Sequence, residues 1–298
     1  MKASDSLPPK RILALDFDGV VCASSGESSV SAIMAAKKFW PSLEIDDSIY
    51  DNLRNAIMEL RPIIETGYEN MLVCRLLVER SQELAKEERE REREMDTSSI
   101  LSSWNANMRD DLTKQYQTTK EELVKVFGQT RDEFISSDFS AWVGLNEVYS
   151  CVREAVEGRG EEMGDFYIIT TKQERFVRAI LSGSSLSSLA PPSSRLFDLD
   201  SGLGPKPNVL KHILRTHQRE RKREGERERE LKIVFVEDRV ETLLQVINDP
   251  DIPETKRELY LADWGYNTAA QREMARHHPQ ITLIDGTQFK DLIISLTD

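Results

Sequence analysis

The 298-residue sequence predicts a doubly wound α/β protein: a parallel sheet covered by helices on both faces, with an all-helical segment inserted near the N-terminus. Three observations predict it. Strand-like apolar runs occur at Ile12 to Leu15, Phe166 to Thr170, Ile233 to Val236, Glu258 to Ala262 and Ile281 to Ile284. Between the first run and the rest, from Ser24 to about Ala141, apolar residues recur at helical spacing. Beyond Trp142 the pattern alternates helix and strand, as crossover connections within one parallel sheet require.

The first strand lies in KRILALDFDGVVCAS, where the apolar run ends in Asp16 and Asp18, followed by Gly19. On a period of two these carboxylates start on one face, and the chain leaves the strand at Gly19, so the second acid can turn over the first. In the inserted segment Leu53, Ile57, Leu60 and Ile64 share one helical face, with Pro62 interrupting near Leu60, and a further helix should run from about Glu65 into a charged stretch. Trp104, Met108, Leu112 and Tyr116 follow at intervals of four, and the segment should hold four or five helices in all. A helix near Asn146 to Glu157, the strand YIITT, and a helix from Gln173 to Leu181 open the alternating part. SGSSLSSLAPPSSR (182–195) reads as a mobile surface loop, and KEEREREREMD (86–96) and QRERKREGERERE (218–230) as solvated helix ends or disordered insertions. The predicted domains are 1–23 with 143–298, and 24–142.

Composition removes several function classes. Forty basic against 52 acidic residues give a net charge of −12, which argues against nucleic acid or an anionic membrane as the main partner. Cys22, Cys74 and Cys151 lie far apart without metal-ligand spacing, so neither a disulfide framework nor a zinc site is expected. No apolar run is long enough to span a bilayer, and MKASDSLPPK lacks a secretory apolar segment, so the expected location is the cytoplasm, with a plastid as the alternative. Oligomeric state is not legible.

Three further apolar-to-polar junctions join the Asp16/Asp18 pair: Thr170 and Thr171 ending one strand, Lys206 opening a helix in GLGPKPNVLKHIL, and Glu237 with Asp238 ending the strand in IVFVEDRVETL. Singly, each also fits an ordinary turn, a helix cap or a surface lysine. Together they bring a hydroxyl, an ammonium and four carboxylates to the carboxyl edge of one sheet, where open α/β folds bind ligands. In the inserted segment Arg61, Glu65 and Tyr68 of ELRPIIETGYEN are polar candidates for substrate contact, with helix packing and surface exposure as the competing reading. His277 and His278 read as surface residues, and Trp104, Trp264 and Tyr266 as core aromatics.

The order of these junctions resembles that of the haloacid dehalogenase superfamily: LALDFDGVV is similar to its first motif, Thr170 to its second, Lys206 to its third and VEDRVE to its acidic fourth. GYEN, TTKQ, GPK, FVEDR and DWGYNT resemble the plant and algal hydrolases of this superfamily, and Leu261 to Thr268 is similar to a turn of phosphoglycolate-phosphatase-like members. YSCV at Tyr149 to Val152 departs from the pattern, since relatives tend to carry proline and glycine there. The resemblance implies a Rossmann-like core with a type-one helical cap, and a magnesium-dependent phosphatase acting on a small phosphorylated metabolite. It implies Asp16 as nucleophile, Asp18 as acid and base, Thr170 and Lys206 on the phosphoryl group with Thr171 beside them, and Mg²⁺ on Asp16, the Asp18 carbonyl and Asp238, with Glu237 secondary. An acid two residues after the nucleophile disfavours carbon–halogen cleavage. A phosphomutase with the same motifs, and a scaffold binding partners through its charged segments, are the alternatives.

Overall fold

In the computed structural model, which describes residues 9–87, 95, 97–156, 166–224 and 230–296, the chain divides into two units, Met1–Ala23 with Val148–Asp298, and Ser24–Glu147. β1 (Lys10–Leu15) forms from residues whose last four side chains are all buried. A run buried on both faces suits the middle of a parallel sheet, where helices cover each side. After β1 comes β2 (Cys22–Ala23), which pairs with β3 (Glu147–Val148) in a two-stranded ribbon.

The unit that follows β2 contains α1 (Ser25–Phe39), α2 (Asp47–Glu59), α3 (Glu69–Glu87), α4 (Ser98–Ser103), α5 (Ala106–Gln115), α6 (Lys120–Ser137) and α7 (Phe139–Gly144). Several helix starts are fixed by side chains that satisfy otherwise orphaned N–H groups: Asp46 accepts from Ser48 N, Asn105 from Met108 N, and Thr119 with Glu122 forms a reciprocal capping box. Leu53, Ile57, Leu60, Ile64, Met71 and Phe127 belong to its apolar core. Within that core lies a charged pair: Arg131 donates to both carboxylate oxygens of the fully buried Glu27, at 2.7 and 2.8 Å. Ser31 Oγ (2.6 Å) and Trp142 Nε1 (3.2 Å) also donate to Glu27.

The second half builds α8 (Ser150–Val156), β4 (Phe166–Ile169), α9 (Glu174–Gly183), β5 (Leu196–Phe197), α10 (Lys206–Glu224), β6 (Leu231–Glu237), α11 (Val240–Ile247), β7 (Arg257–Ala262), α12 (Ala269–His277), β8 (Thr282–Ile284) and α13 (Gly286–Ser295). The main sheet has the order β5-β4-β1-β6-β7-β8, and all of its strand pairs are parallel. Ile12 and Ala14 join a core with Val209, Ile213 and Leu243 from α10 and α11. Leu15 of the alternate set lines a small apolar cavity with Val152, Phe166, Ile168, Phe289 and Ile293, from β4, α8 and α13. From β1 the chain proceeds outward through β4 and β5, then crosses back to β6, so the strand order reverses beside β1. That is where an open α/β sheet leaves a crevice.

Several expectations shift. β5 is too short for a two-residue apolar run to announce it. The helix expected from Asn146 begins at Ser150, because Glu147 and Val148 are extended in β3, and the helical unit accordingly runs to Glu147 rather than 142. Seven helices occupy the described residues of the insertion rather than four or five, and the run from Trp104 to Tyr116 is broken at Asn105, which caps α5. Residues 182–195 are anchored, with Leu186 and Leu189 buried and two short 3-10 turns at Ser187–Leu189 and Ser193–Arg195. α10 extends through Glu224; most of 86–96, and 225–229, lie outside the described residues.

Candidate active site

The site forms at the carboxyl ends of β1, β4 and β6. Asp16 is 5 % exposed, and its N–H continues the ladder by donating to Val236 O at 3.0 Å. The chain then turns tightly: Val21 N and Cys22 N both donate to Phe17 O, and Gly19 N to Cys22 O, each at 2.9 Å. Gly19 has φ +90°, and a Cβ there would fall on the Asp238 carboxylate, so glycine is required on both conformational and steric grounds. A Cβ on Gly265 would likewise meet Asp238 Cβ, and stand 2.6 Å from Gly19 O. The turn after β7 thus presses directly against the acidic end of β6.

That pressure positions Asp238. Its Oδ2 accepts from Tyr266 N at 2.8 Å, and its main-chain carbonyl accepts from Asn267 Nδ2 at 3.0 Å, which also donates to Ala262 O at 2.8 Å. Asp16, Glu237 and Asp238 each offer an oxygen, and these lie within 4.8 Å of one another. All three are buried. Such a set of hard oxygens fits a small divalent cation. The Asp18 carboxylate is not among these three grouped oxygens, and of Asp18 only the main-chain carbonyl was expected as a ligand.

Lys206, at the first position of α10, donates to Glu237 Oε2 and pairs with Asp16 Oδ1, both at 2.7 Å. Burial pushes the Asp16 carboxyl up to about 7; Lys206 pulls it down, while Glu237 and Asp18 add to the rise. Burial alone would lower the Lys206 ammonium, but Asp16 and Glu237 hold it above its ordinary value, so it stays charged. Thr170 is buried just past β4; its N–H donates to Phe197 O (2.9 Å) and its hydroxyl accepts from Lys172 N (3.0 Å). Thr171 follows, partly exposed.

The structure therefore brings Asp16, Asp18, Thr170, Lys206, Glu237 and Asp238 to one sheet edge. Arg61, Glu65 and Tyr68 lie in the helical unit. There Arg61 donates to Ile64 O (2.8 Å), Glu65 pairs with Arg109 (3.1 Å), and Tyr68 is buried, its hydroxyl pushed up to about 12 by burial. Three residues escaped the sequence reading. Lys172 pairs with Asp18 Oδ1 at 3.3 Å, Tyr266 supports Asp238 through its N–H, and Gly265 permits that approach. The latter two lie in DWGYNT, where the aromatics were read as core; the backbone between them was the useful signal. His277 is exposed, as a surface reading implies.

No protein-family model matches the chain, and no curated protein matches it either. Among solved structures, a predicted phosphoglycolate phosphatase from Haemophilus somnus is similar with a TM-score of 0.54 at 14 % identity, covering 94 % of this chain and 96 % of that one. A Clostridium difficile protein matches with a TM-score of 0.50 at 12 % identity, covering 97 % of this chain and all of the other (100 %). A haloacid dehalogenase-like family hydrolase from Streptococcus pneumoniae matches with a TM-score of 0.49 at 12 % identity, over 95 % and 98 % of the two chains. For the first two, at such identities, the likeness is one of fold.

Proposed function

We infer a magnesium-dependent phosphatase of the haloacid dehalogenase type that hydrolyses a small phosphorylated metabolite through an aspartyl-phosphate, in a chain that shares its fold with a predicted phosphoglycolate phosphatase. The observation that carries this reading is the convergence of Asp16, Glu237 and Asp238 within 4.8 Å, with Lys206 bridging two of them. A strand-end nucleophile beside a cation site and a fixed ammonium is what phosphoryl transfer needs, since that reaction is governed by positioning and charge.

Magnesium would be held by Asp16, Asp238 and the main-chain carbonyl of Asp18, with Glu237 behind them. Once bound, it would offset charge on the phosphoryl oxygens. The remaining work belongs to side chains. Asp16 attacks phosphorus in line, and the bond to the ester oxygen breaks as Asp18 delivers a proton to that oxygen. Asp18, now a carboxylate, takes a proton from the water that cleaves the aspartyl-phosphate, which restores both residues. The Thr170 hydroxyl, already accepting from Lys172 N, keeps its own proton to donate to a phosphoryl oxygen. Lys206 orients Asp16 and favours its ionised form against the burial that opposes it. Thr171 is proposed for the phosphoryl group, and Arg61, Glu65 and Tyr68 of the helical unit, read as a cap, are proposed for the rest of the substrate. Sugar phosphates and phosphoglycolate-like acids are the leading substrate classes.

The test is phosphate release from a panel of phosphorylated metabolites, with magnesium and with EDTA, comparing the wild type with Asp16→Asn. Magnesium-dependent release that vanishes in the variant is expected; release that survives in Asp16→Asn would refute the nucleophile.

A further inference from the structure

Lys172 is a buried cation that the steps above do not use. It follows Thr170 and Thr171 in the bend after β4, and its side chain is 2 % exposed. An ammonium that far from water requires an oxygen acceptor, and Asp18 Oδ1 stands 3.3 Å from its Nζ, able to accept whether or not the other carboxyl oxygen carries a proton. The site's other ammonium, Lys206, is committed elsewhere, to Asp16 and Glu237 at 2.7 Å each. Lys206 thus reaches the proposed nucleophile and Glu237, and Lys172 reaches Asp18.

Asp18 needs such a partner because of where it sits. It has left the strand ladder and lies in the turn closed by Gly19, so the sheet does not fix its side chain as it fixes Asp16. Lys172 approaches from the adjacent strand end, and its own N–H bonds the Thr170 hydroxyl at 3.0 Å. Backbone and side chain of one residue therefore tie the phosphoryl-facing hydroxyl to Asp18. A proton donor works only within hydrogen-bond reach of the leaving oxygen, so the group that sets its direction affects the rate without touching substrate.

We propose that Lys172 is the positioning residue for Asp18, and that it acts on protonation of the leaving group rather than on binding of the phosphoryl group. The proposal rests on the phosphatase reading and makes a narrower claim. It is tested with kcat/KM, which reports the steps through phosphoryl transfer to Asp16, measured on phosphate monoesters from alkyl phosphates to p-nitrophenyl phosphate. A nitrophenolate departs without a proton and an alkoxide does not. Lys172→Met should lose roughly 10- to 100-fold on alkyl phosphates, a fraction of the 10²–10⁴ that general acids supply. The loss on p-nitrophenyl phosphate should be about tenfold smaller than that. Lys172→Arg, which keeps the charge, should recover part of the alkyl activity. In an Asp18→Asn background, Lys172→Met should add no further dependence on the leaving group. Lys172→Gln is read in the same way if the Met variant does not fold, with melting temperature as the check on both.

A uniform loss across leaving groups, or full additivity with Asp18→Asn, would overturn the assignment while leaving the phosphatase reading in place. No magnesium-dependent phosphate release by the wild type would overturn both.

Discussion

Replacing Arg131 by methionine tests whether the charge buried in the helical unit is held by pairing. Glu27 is fully buried and receives Arg131 on both oxygens, and Ser31 and Trp142 also donate to it. Methionine fills much of the arginine's volume but removes both charge-assisted bonds and leaves a carboxylate out of water. Breaking one side of such a pair costs about 3–5 kcal/mol. For a 298-residue protein, whose unfolding entropy is about 0.6 kcal/mol/K, that corresponds to a fall in melting temperature of roughly 5 to 8 °C. Intrinsic fluorescence is a suitable probe, because Trp40, Trp104 and Trp142 belong to the helical unit and only Trp264 to the α/β unit. The double variant Glu27→Gln/Arg131→Met removes both charges and keeps an acceptor for Ser31 and Trp142. It should recover at least about 1.5 kcal/mol of the loss, since the desolvated charge is gone. A single-variant loss below about 1 kcal/mol, or a double variant no better than the single, would refute the argument that burial of an unpaired charge sets the penalty.

Gly19→Ala should destabilise the protein by about 1–3 kcal/mol and abolish magnesium-dependent activity, because the added methyl needs a strained φ and the space of the Asp238 carboxylate; wild-type melting and turnover would disprove the close approach. Metal binding should expel protons below neutrality: burial holds Asp16 near 7 in the metal-free protein, and a ligand must ionise, so affinity should fall as pH drops below about 7. Calorimetry at pH 6 in buffers of different ionisation enthalpy would show this, and heats independent of buffer would contradict it. Thiol labelling of the native protein at pH 8 should be confined to Cys151, since Cys22 and Cys74 are buried and burial pushes the Cys74 thiol up to about 12. Rapid reaction of all three without denaturant would mean that the two interiors are far looser than described.

Residues that speak for themselves were legible. Ile12 to Leu15 and Ile233 to Val236 announce strands because central parallel strands run apolar, and polar residues at their ends mark the sheet edge, while Glu258 to Ala262 reads as a strand by its alternation. Elements defined by a partner were not. β5 is two residues long and becomes a strand only by pairing with Ile168 and Ile169. Residues 182–195 look like a loop from their serines, but burial of Leu186 and Leu189 holds them against the unit. The site divides the same way. Asp16, Asp18, Lys206 and Asp238 could be named from junctions in the sequence, whereas the service of Lys172 to Asp18 depends on β4 lying beside β1, a fact of strand order that no local window contains.

The same strand order has a consequence for biosynthesis. β1 leaves the ribosome before any other strand of the sheet, yet its two neighbours, β4 and β6, arrive only after the whole helical unit has been made. The helical unit, contiguous in sequence, can collapse on its own residues in the meantime. The segment ILAL cannot, and waits with both edges unpaired and no polar side chain to discourage pairing with another chain. A strand buried in the finished sheet is therefore one that stays unpaired for longest in the nascent chain, and the acidic cluster beyond its end does not assemble until Glu237 and Asp238 emerge.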